Sequence, residues 1–253
     1  MGEMGKVHVG LVGALGKMGR MIQEVIEKED DISVSVQIDP LVTYDRTDKK
    51  NIYLIDVPDL VDVIIDFSNP LATMETAIWC VQNKKPLVSG TTGLSIGQLL
   101  GLKAYAEHIA FLSAPNMSLG VNLIDALLPQ LKLLGEFDIE IVETHHRLKK
   151  DSPSGTALRW AKTLAQVFGR KVVNSRQEGV SQGRDKEEIY VHAMRGGTVP
   201  GEHTIYFFGP DEVIEITHRA ASRLIFAKGA VMAAKWIIGQ PPGLYSMNNV
   251  LGL

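Results

Sequence analysis

The stretch VHVGLVGALGKMGRMIQEVIEKED, residues 7–30, decides the fold. Its first seven residues read as a buried strand. The run from Lys17 reads as a helix with an apolar stripe at Met18, Met21, Ile22, Val25 and Ile26. Between them stands Gly13-Ala14-Leu15-Gly16-Lys17-Met18-Gly19. Each glycine answers a physical need of a phosphate-binding turn: Gly13 for tightness, Gly16 for backbone approach to a pyrophosphate, Gly19 for close helix–strand packing. The anion would then rest on N–H groups at the helix start. The spacing is GxxGxxG rather than GxGxxG, and a ligand-free glycine turn is the competing reading. Placement between strand and helix argues against it, as does Asp39, twenty residues beyond Gly19 at the end of the next strand. An acid there accepts hydrogen bonds from an adenosine ribose and favours NADH over NADPH. Pro40 leaves no arginine directly after Asp39 to hold a 2′-phosphate, whereas Arg46, Lys49 and Lys50 keep dual use open.

Outward from this turn the first half alternates strands (ISVSVQID, VDVIIDFS, PLVSG, IAFLSAP) with helical segments such as PLATMETAIWCVQN and SIGQLLGLKAYAEH. Strands separated by helices imply parallel βαβ units, hence an α/β doubly wound sheet. FSNP (67–70), GTTG (90–93) and APNMS (114–118) fall at carboxyl ends of strands, where such sheets bind ligands. After Asn116 the texture changes. VNLIDALLPQLKLLG reads as one long helix, DIEIVETHH as a strand and GTALRWAKTLAQVFG as a second helix. EEIYVHAMRG, EHTIYFFG and DEVIEITHRA follow as strands with short turns, so this half is expected to be α+β with an antiparallel or mixed sheet. RLIFAKGAVMAAKWIIG is a closing helix, and residues 174–188 are expected to form an exposed, mobile loop.

Composition narrows the function classes. With 45% hydrophobic and 22% charged residues the 253-residue chain is ordinary for a globular protein. A net charge of -3 and a pI near 6.2 argue against nucleic-acid and membrane-surface partners. Cys80 is the single cysteine, which rules out an internal disulfide, and its apolar setting predicts a plain buried thiol. No apolar run approaches membrane-spanning length and the N-terminus lacks a signal layout, so a soluble, cytoplasmic protein is expected.

The second chemical motif is ETHHRLKKDSPSGTA, residues 143–157. Histidine exchanges protons near neutral pH, and Lys149 can serve as donor or fixed cation. A helix starting near Ser154, Gly155 and Thr156 offers a carboxylate-sized anion site on its first N–H groups and the Thr156 hydroxyl. The arrangement suits a small, doubly anionic substrate, one carboxylate on the helix start and the other against His146 and the cations. A solvated basic loop is the bland alternative. A metal site would need Asp151 or His203 as a further ligand and is disfavoured by the lysines, so none is expected. A nucleophilic Ser152 or Ser154 lacks elbow context.

ETHHRLKKDSPSGTAL closely resembles the signature of dihydrodipicolinate reductase, the nicotinamide-dependent enzyme of bacterial and plant lysine and diaminopimelate synthesis. GALGKMGR, IDFSNP, GTTG, APNMSLGVN, GEHT, EITHRAASR and FAKGA resemble the family's other blocks, in order and over essentially the whole chain. The resemblance implies a Rossmann-like cofactor domain of residues 1–117 and 223–253. It further implies a substrate-binding and oligomerisation domain of residues 118–222 and a homotetramer formed largely through the mixed sheets. By position His145 matches the acid/base and Lys149 the proton donor, while His146, Gly155 and Thr156 match substrate-binding positions. Gly13, Ala14, Leu15, Gly16, Lys17, Met18, Asp39, Gly90, Thr91, Thr92, Ala114, Pro115, Asn116 and Met117 match contacts to NADH or NADPH. Lys17, Met117 and Pro40 depart from some members, which bears on cofactor preference rather than on the reaction. The two motifs fall in different domains and must meet for hydride transfer, so closure is expected. A different two-domain oxidoreductase would share the first motif but have no use for the second. A non-catalytic NADH sensor would need neither His145 nor Lys149.

Overall fold

A computed structural model describes residues 5–39, 58–175 and 183–253. Pro40, Arg46, Lys49 and Lys50, on which the cofactor-preference argument partly rested, lie outside the described residues, as do 176–182 of the expected loop. The chain divides into two compact units, Met1–Leu119 with Leu224–Leu253, and Gly120–Arg223.

The first unit is built on a six-stranded, wholly parallel sheet. Its strands are β1 (Val7–Val12), β2 (Ile32–Ile38), β3 (Val63–Asp66), β4 (Leu87–Ser89), β5 (Ala110–Ser113) and β11 (Gly243–Tyr245), in the order β11-β5-β4-β3-β1-β2. Strands of a parallel sheet are covered on both faces, which is why these segments read as continuous apolar runs. Val9, Leu11, Val63 and Ile65 face a core shared with α1 (Lys17–Ile26) and α6 (Leu224–Ile237). Val12, Ile64, Leu87 and Phe111 face the other, shared with α2 (Pro70–Asn83) and α3 (Ile96–Tyr105). The expected apolar stripe of α1 is the one buried. Strand order reverses between β1 and β3, so the loops after these two strands flank the crevice where such sheets bind ligands. α6 is lined with small residues for a reason: a Cβ on Gly229 would sit 1.8 Å from the Met117 carbonyl oxygen. The tail, unassigned by pattern, adds edge strand β11 and α7 (Met247–Leu251).

The second unit carries a mixed five-stranded sheet of β6 (Asp138–His145), β7 (Lys171–Asn174), β8 (Glu188–Arg195), β9 (Glu202–Phe208) and β10 (Val213–Arg219), ordered β10-β9-β6-β8-β7. β6 runs parallel to β8 and antiparallel to β9. One face packs on α4 (Leu119–Leu127) and α5 (Gly155–Phe168) through Ile139, Ile141, Val191, Ile205, Phe207, Trp160 and Leu164. The single long helix expected from VNLIDALLPQLKLLG is instead α4 followed by a 3₁₀ helix, Leu128–Leu134. Pro129 is the cause, since its ring and missing N–H cannot continue an α-helical ladder. The expected loop is also shorter than 174–188, because Asn174 closes β7 and Glu188 opens β8. Within it Arg184 is fixed rather than loose: its guanidinium holds Asp138 at 2.9 Å and Glu140 at 3.1 Å and donates to the Ile139 and Glu188 carbonyls.

Candidate active site

In the first unit the glycine turn follows β1 and opens α1 as its spacing predicts. Gly13 has φ +80, and a Cβ there would come within 2.5 Å of the Phe67 carbonyl oxygen. A Cβ on Gly19 would lie 2.2 Å from the Gly13 carbonyl oxygen, so α1 can pack this tightly only without a side chain. Gly16 is different. It is the exposed N-cap, no side chain caps it, and an added Cβ would meet only Gly13 O at 3.1 Å. Ala14 is buried, Leu15 and Met18 are half-buried, and Lys17 is exposed. The Asp39 carboxylate accepts the Leu15 N–H at 3.0 Å, which fixes the acid ending β2 to the turn itself.

Of the other segments expected to contact a cofactor, residues 90–92 begin against Phe67. Gly90 carries no side chain because a Cβ would lie 2.2 Å from the Phe67 ring. Thr92 and Pro115 are exposed, Asn116 is half-buried and accepts the Ser118 N–H, and Ala114 and Met117 are buried. Beneath these loops lies Asp66, which the motif reading passed over. It is fully buried, and Ser68, Thr73, Ser89 and Thr91 all donate their hydroxyls to it. Burial raises its pKa, against the pull of those hydrogen bonds. A bare helix start, a ribose-height carboxylate and backbone-lined loops beside the strand-order reversal fit a dinucleotide.

In the second unit strand parity builds the site. Residues 139, 141, 143 and 145 of β6 all face inward, so the two isoleucines of the core continue into Glu143 and His145. Register supplies the neighbours: β9 places His203 opposite Glu143, and β8 places Arg195 opposite His145. Glu143 is fully buried and takes three kinds of donor. Arg195 grips both oxygens at 2.8 and 2.7 Å, the Ser154 N–H lies at 2.9 Å, and His145 Nδ1 at 2.6 Å. Burial alone would raise its pKa; His145, Arg195 and the Ser154 N–H outweigh it and hold the carboxyl at about 2. An ionised carboxylate only accepts, so His145 carries a proton on Nδ1 and presents Nε2 for exchange. Gly201 has no side chain to crowd that atom, since a Cβ would lie 2.9 Å from Nε2.

His203 packs edge-on to His145 with ring centroids 5.0 Å apart, and its Nε2 lies 2.8 Å from the Ser154 hydroxyl. Burial, with repulsion from His145, lowers its pKa to about 3, which keeps it neutral. Ser154 caps α5 by accepting the Ala157 N–H, so it is structural rather than nucleophilic. Gly155 is exposed with nothing within 4 Å of an added Cβ, and Thr156 is half-buried beside it. His146 Nε2 accepts from Arg223 at 2.9 Å; arginine never accepts, so the His146 proton sits on Nδ1. Burial and the Arg223 charge lower the His146 pKa. The Lys149 ammonium pairs with Asp151 at 3.0 Å. Sequence reading missed Glu143, Arg195 and Arg223 as partners of the named residues. Among the described residues no cluster of His, Cys, Asp and Glu could hold a metal ion.

Comparison with known proteins agrees across the whole chain. Residues 7–117 match the family model for the N-terminus of dihydrodipicolinate reductase, and residues 120–251 match that for its C-terminus. The chain is 42% identical to a 4-hydroxy-tetrahydrodipicolinate reductase of Geotalea uraniireducens, covering 98% of this chain and 99% of that one. A protein of the same name from Hahella chejuensis is 43% identical, over 97% and 99%. Among solved structures, a dipicolinate-bound dihydrodipicolinate reductase from Paenisporosarcina sp. TG-14 superposes with a TM-score of 0.76 at 23% identity, covering 95% of this chain and 97% of that one. GenD2 from gentamicin A biosynthesis, in complex with NAD, shares the fold at a TM-score of 0.59 and 13% identity, covering 98% and 91%.

Proposed function

The chain belongs to the dihydrodipicolinate reductase family, and from that membership we infer that it reduces 4-hydroxy-tetrahydrodipicolinate to tetrahydrodipicolinate, the reductive step of lysine and diaminopimelate synthesis. A reduced nicotinamide, when bound, would supply hydride chemistry toward ring carbon 4 of the substrate. Gly13 to Met18, Asp39, Gly90 to Thr92 and Ala114 to Met117 hold the dinucleotide. Asp39, fastened to the Leu15 N–H, supports NADH as the preferred form, because a fixed anion there accepts from a ribose hydroxyl and repels a phosphate.

The observation that carries the site reading is a single buried carboxylate with two duties. Glu143 holds His145 Nδ1 and also the N–H of Ser154 at the start of α5. The proton-exchanging ring and the Gly155–Thr156 anion turn are thereby set from one point. His146 and that turn hold the carboxylates of a small dicarboxylate substrate, and His145 and Lys149 supply or relay the one proton that quenches the charge left by hydride addition. The decisive assay follows loss of NADH or NADPH absorbance on freshly generated substrate. Lys149→Ala is expected to lower turnover by about 10²-fold or more while NADH affinity stays unchanged. Equal losses in both would overturn the assignment.

The second sheet's other face supports a homotetramer. Tyr190 stacks on His192 and Tyr206 on Phe208, with Met194 and Val213 about half exposed beside them. Light scattering on the purified protein should return four times the chain mass; a monomer would refute this. The setting is the cytoplasm. Among the described residues no helix is long and apolar enough to cross a membrane.

A further inference from the structure

We propose that Asp66 is the positioning residue of the dinucleotide site, a buried carboxylate that locks the 67–69 and 90–92 loops into one frame. This rests on the reading of those loops as cofactor contacts. Asp66 ends β3 at zero exposure, with no cation among its hydrogen-bond partners in the described residues. Its Oδ1 accepts the N–H and hydroxyl of Ser68. Its Oδ2 accepts the hydroxyls of Thr73 at 2.5 Å, Ser89 at 3.1 Å and Thr91 at 3.2 Å. Two of these hydroxyls also accept backbone N–H groups: Ser89 Oγ takes that of Thr91, and Thr91 Oγ1 takes that of Ser68.

The directions of these bonds are therefore chained. The Ser68 N–H donates to the Thr91 hydroxyl across the two loops and the Thr91 N–H donates to the Ser89 hydroxyl within the second, and each hydroxyl's own proton then needs an acceptor, which Asp66 supplies. An acceptor-only group at this point orders the whole set; an amide does not. In Asp66→Asn the NH₂ would replace either the acceptor of the Ser68 N–H or the acceptor of three hydroxyls. The second costs less, and it forces the Ser89 and Thr91 protons to turn away, loosening residues 90–92. Thr73 sits on α2, and its hydroxyl reaches the Asn69 carbonyl of the first loop as well as Asp66 but makes no hydrogen bond to residues 90–92, so it is the internal control for the second loop.

The test compares NADH titration, turnover at saturating NADH and thermal unfolding for full-length wild type, Asp66→Asn and Thr73→Val. Asp66→Asn is expected to raise the NADH Kd about tenfold with turnover at saturation little changed, since the second unit supplies the proton chemistry. Thr73→Val should lower the melting temperature without moving the Kd. Unchanged NADH affinity in folded Asp66→Asn, or an equal rise in Thr73→Val, would reduce Asp66 to a purely structural residue and overturn the proposal. Should Asp66→Asn not fold, Ser68→Ala decides, with a raised Kd supporting the proposal and a wild-type Kd refuting it. Gly16→Val tests the underlying site: if it binds NADH normally, the cofactor assignment itself fails, whatever Asp66 does.

Discussion

Asp66 and Glu143 are both buried to zero exposure near the C-terminal ends of strands, one in each unit, and both fasten backbone N–H groups of a functional loop. They differ in the donors that surround them. Asp66 is met by hydroxyls and one N–H, and its pKa is raised by burial. Glu143 is met by the Arg195 guanidinium and the His145 ring, and its pKa is held at about 2. Neutral donors orient a loop without fixing its charge, which suits the cofactor-holding role proposed for the first unit. Charged donors fix an anion outright, which suits the proposed proton exchange at His145 by keeping one proton on Nδ1.

The comparison breaks most visibly at Glu143. Glu143→Gln keeps the shape but offers an NH₂ where Arg195 and the Ser154 N–H can only donate, turns the proton of His145 away from Nδ1, and leaves the half-buried Arg195 without its anion. Turnover is expected to fall by about 10²-fold or more, and stability by about 3–5 kcal/mol. Adding Arg195→Met should restore part of the stability, because the unpaired charge is gone, and none of the turnover, because His145 still lacks its acceptor. Recovery of both by the double variant, in paired unfolding and kinetic measurements, would show that Glu143 acts only as a salt-bridge partner.

The two carboxylates also mark what a sequence can show. The glycine turn was readable because strand, turn and helix are consecutive, and each glycine has a local cause. Parity along DIEIVETH places Glu143 and His145 on the face of Ile139 and Ile141, so their burial was implicit in the alternation. Arg195 and His203 were not implicit, because their approach depends on the register of β8 and β9 against β6. Asp66 offered one signal, an acid closing the apolar run VIID, yet Ser89 and Thr91, two of its partners, lie 23 and 25 residues away. Pro129 was legible within VNLIDALLPQLKLLG and marks where the helix had to end. β7 (KVVN) and β11 (GLY) carry only two apolar residues each, too few to stand out as strands.

A finer contrast separates the two carboxylates by the sign of their response to acid. Glu143 has a folded pKa near 2 against an ordinary 4.5, so its contribution to stability is complete above 4.5 and is lost as pH falls toward 2. The stability gap between wild type and Glu143→Gln should therefore be widest at neutral pH and close across that window. Asp66 has a folded pKa raised above 3.8, so its contribution is complete below 3.8 and is lost as pH rises through the raised value. The gap between wild type and Asp66→Asn should accordingly widen on acidification. Urea unfolding of the three proteins over the carboxylate range checks this, because other titrating groups cancel in the differences. Opposite slopes would tie each carboxylate to the charge of its donors. If both gaps instead closed on acidification, the hydroxyl ring around Asp66 would hold an anion as firmly as Arg195 holds Glu143.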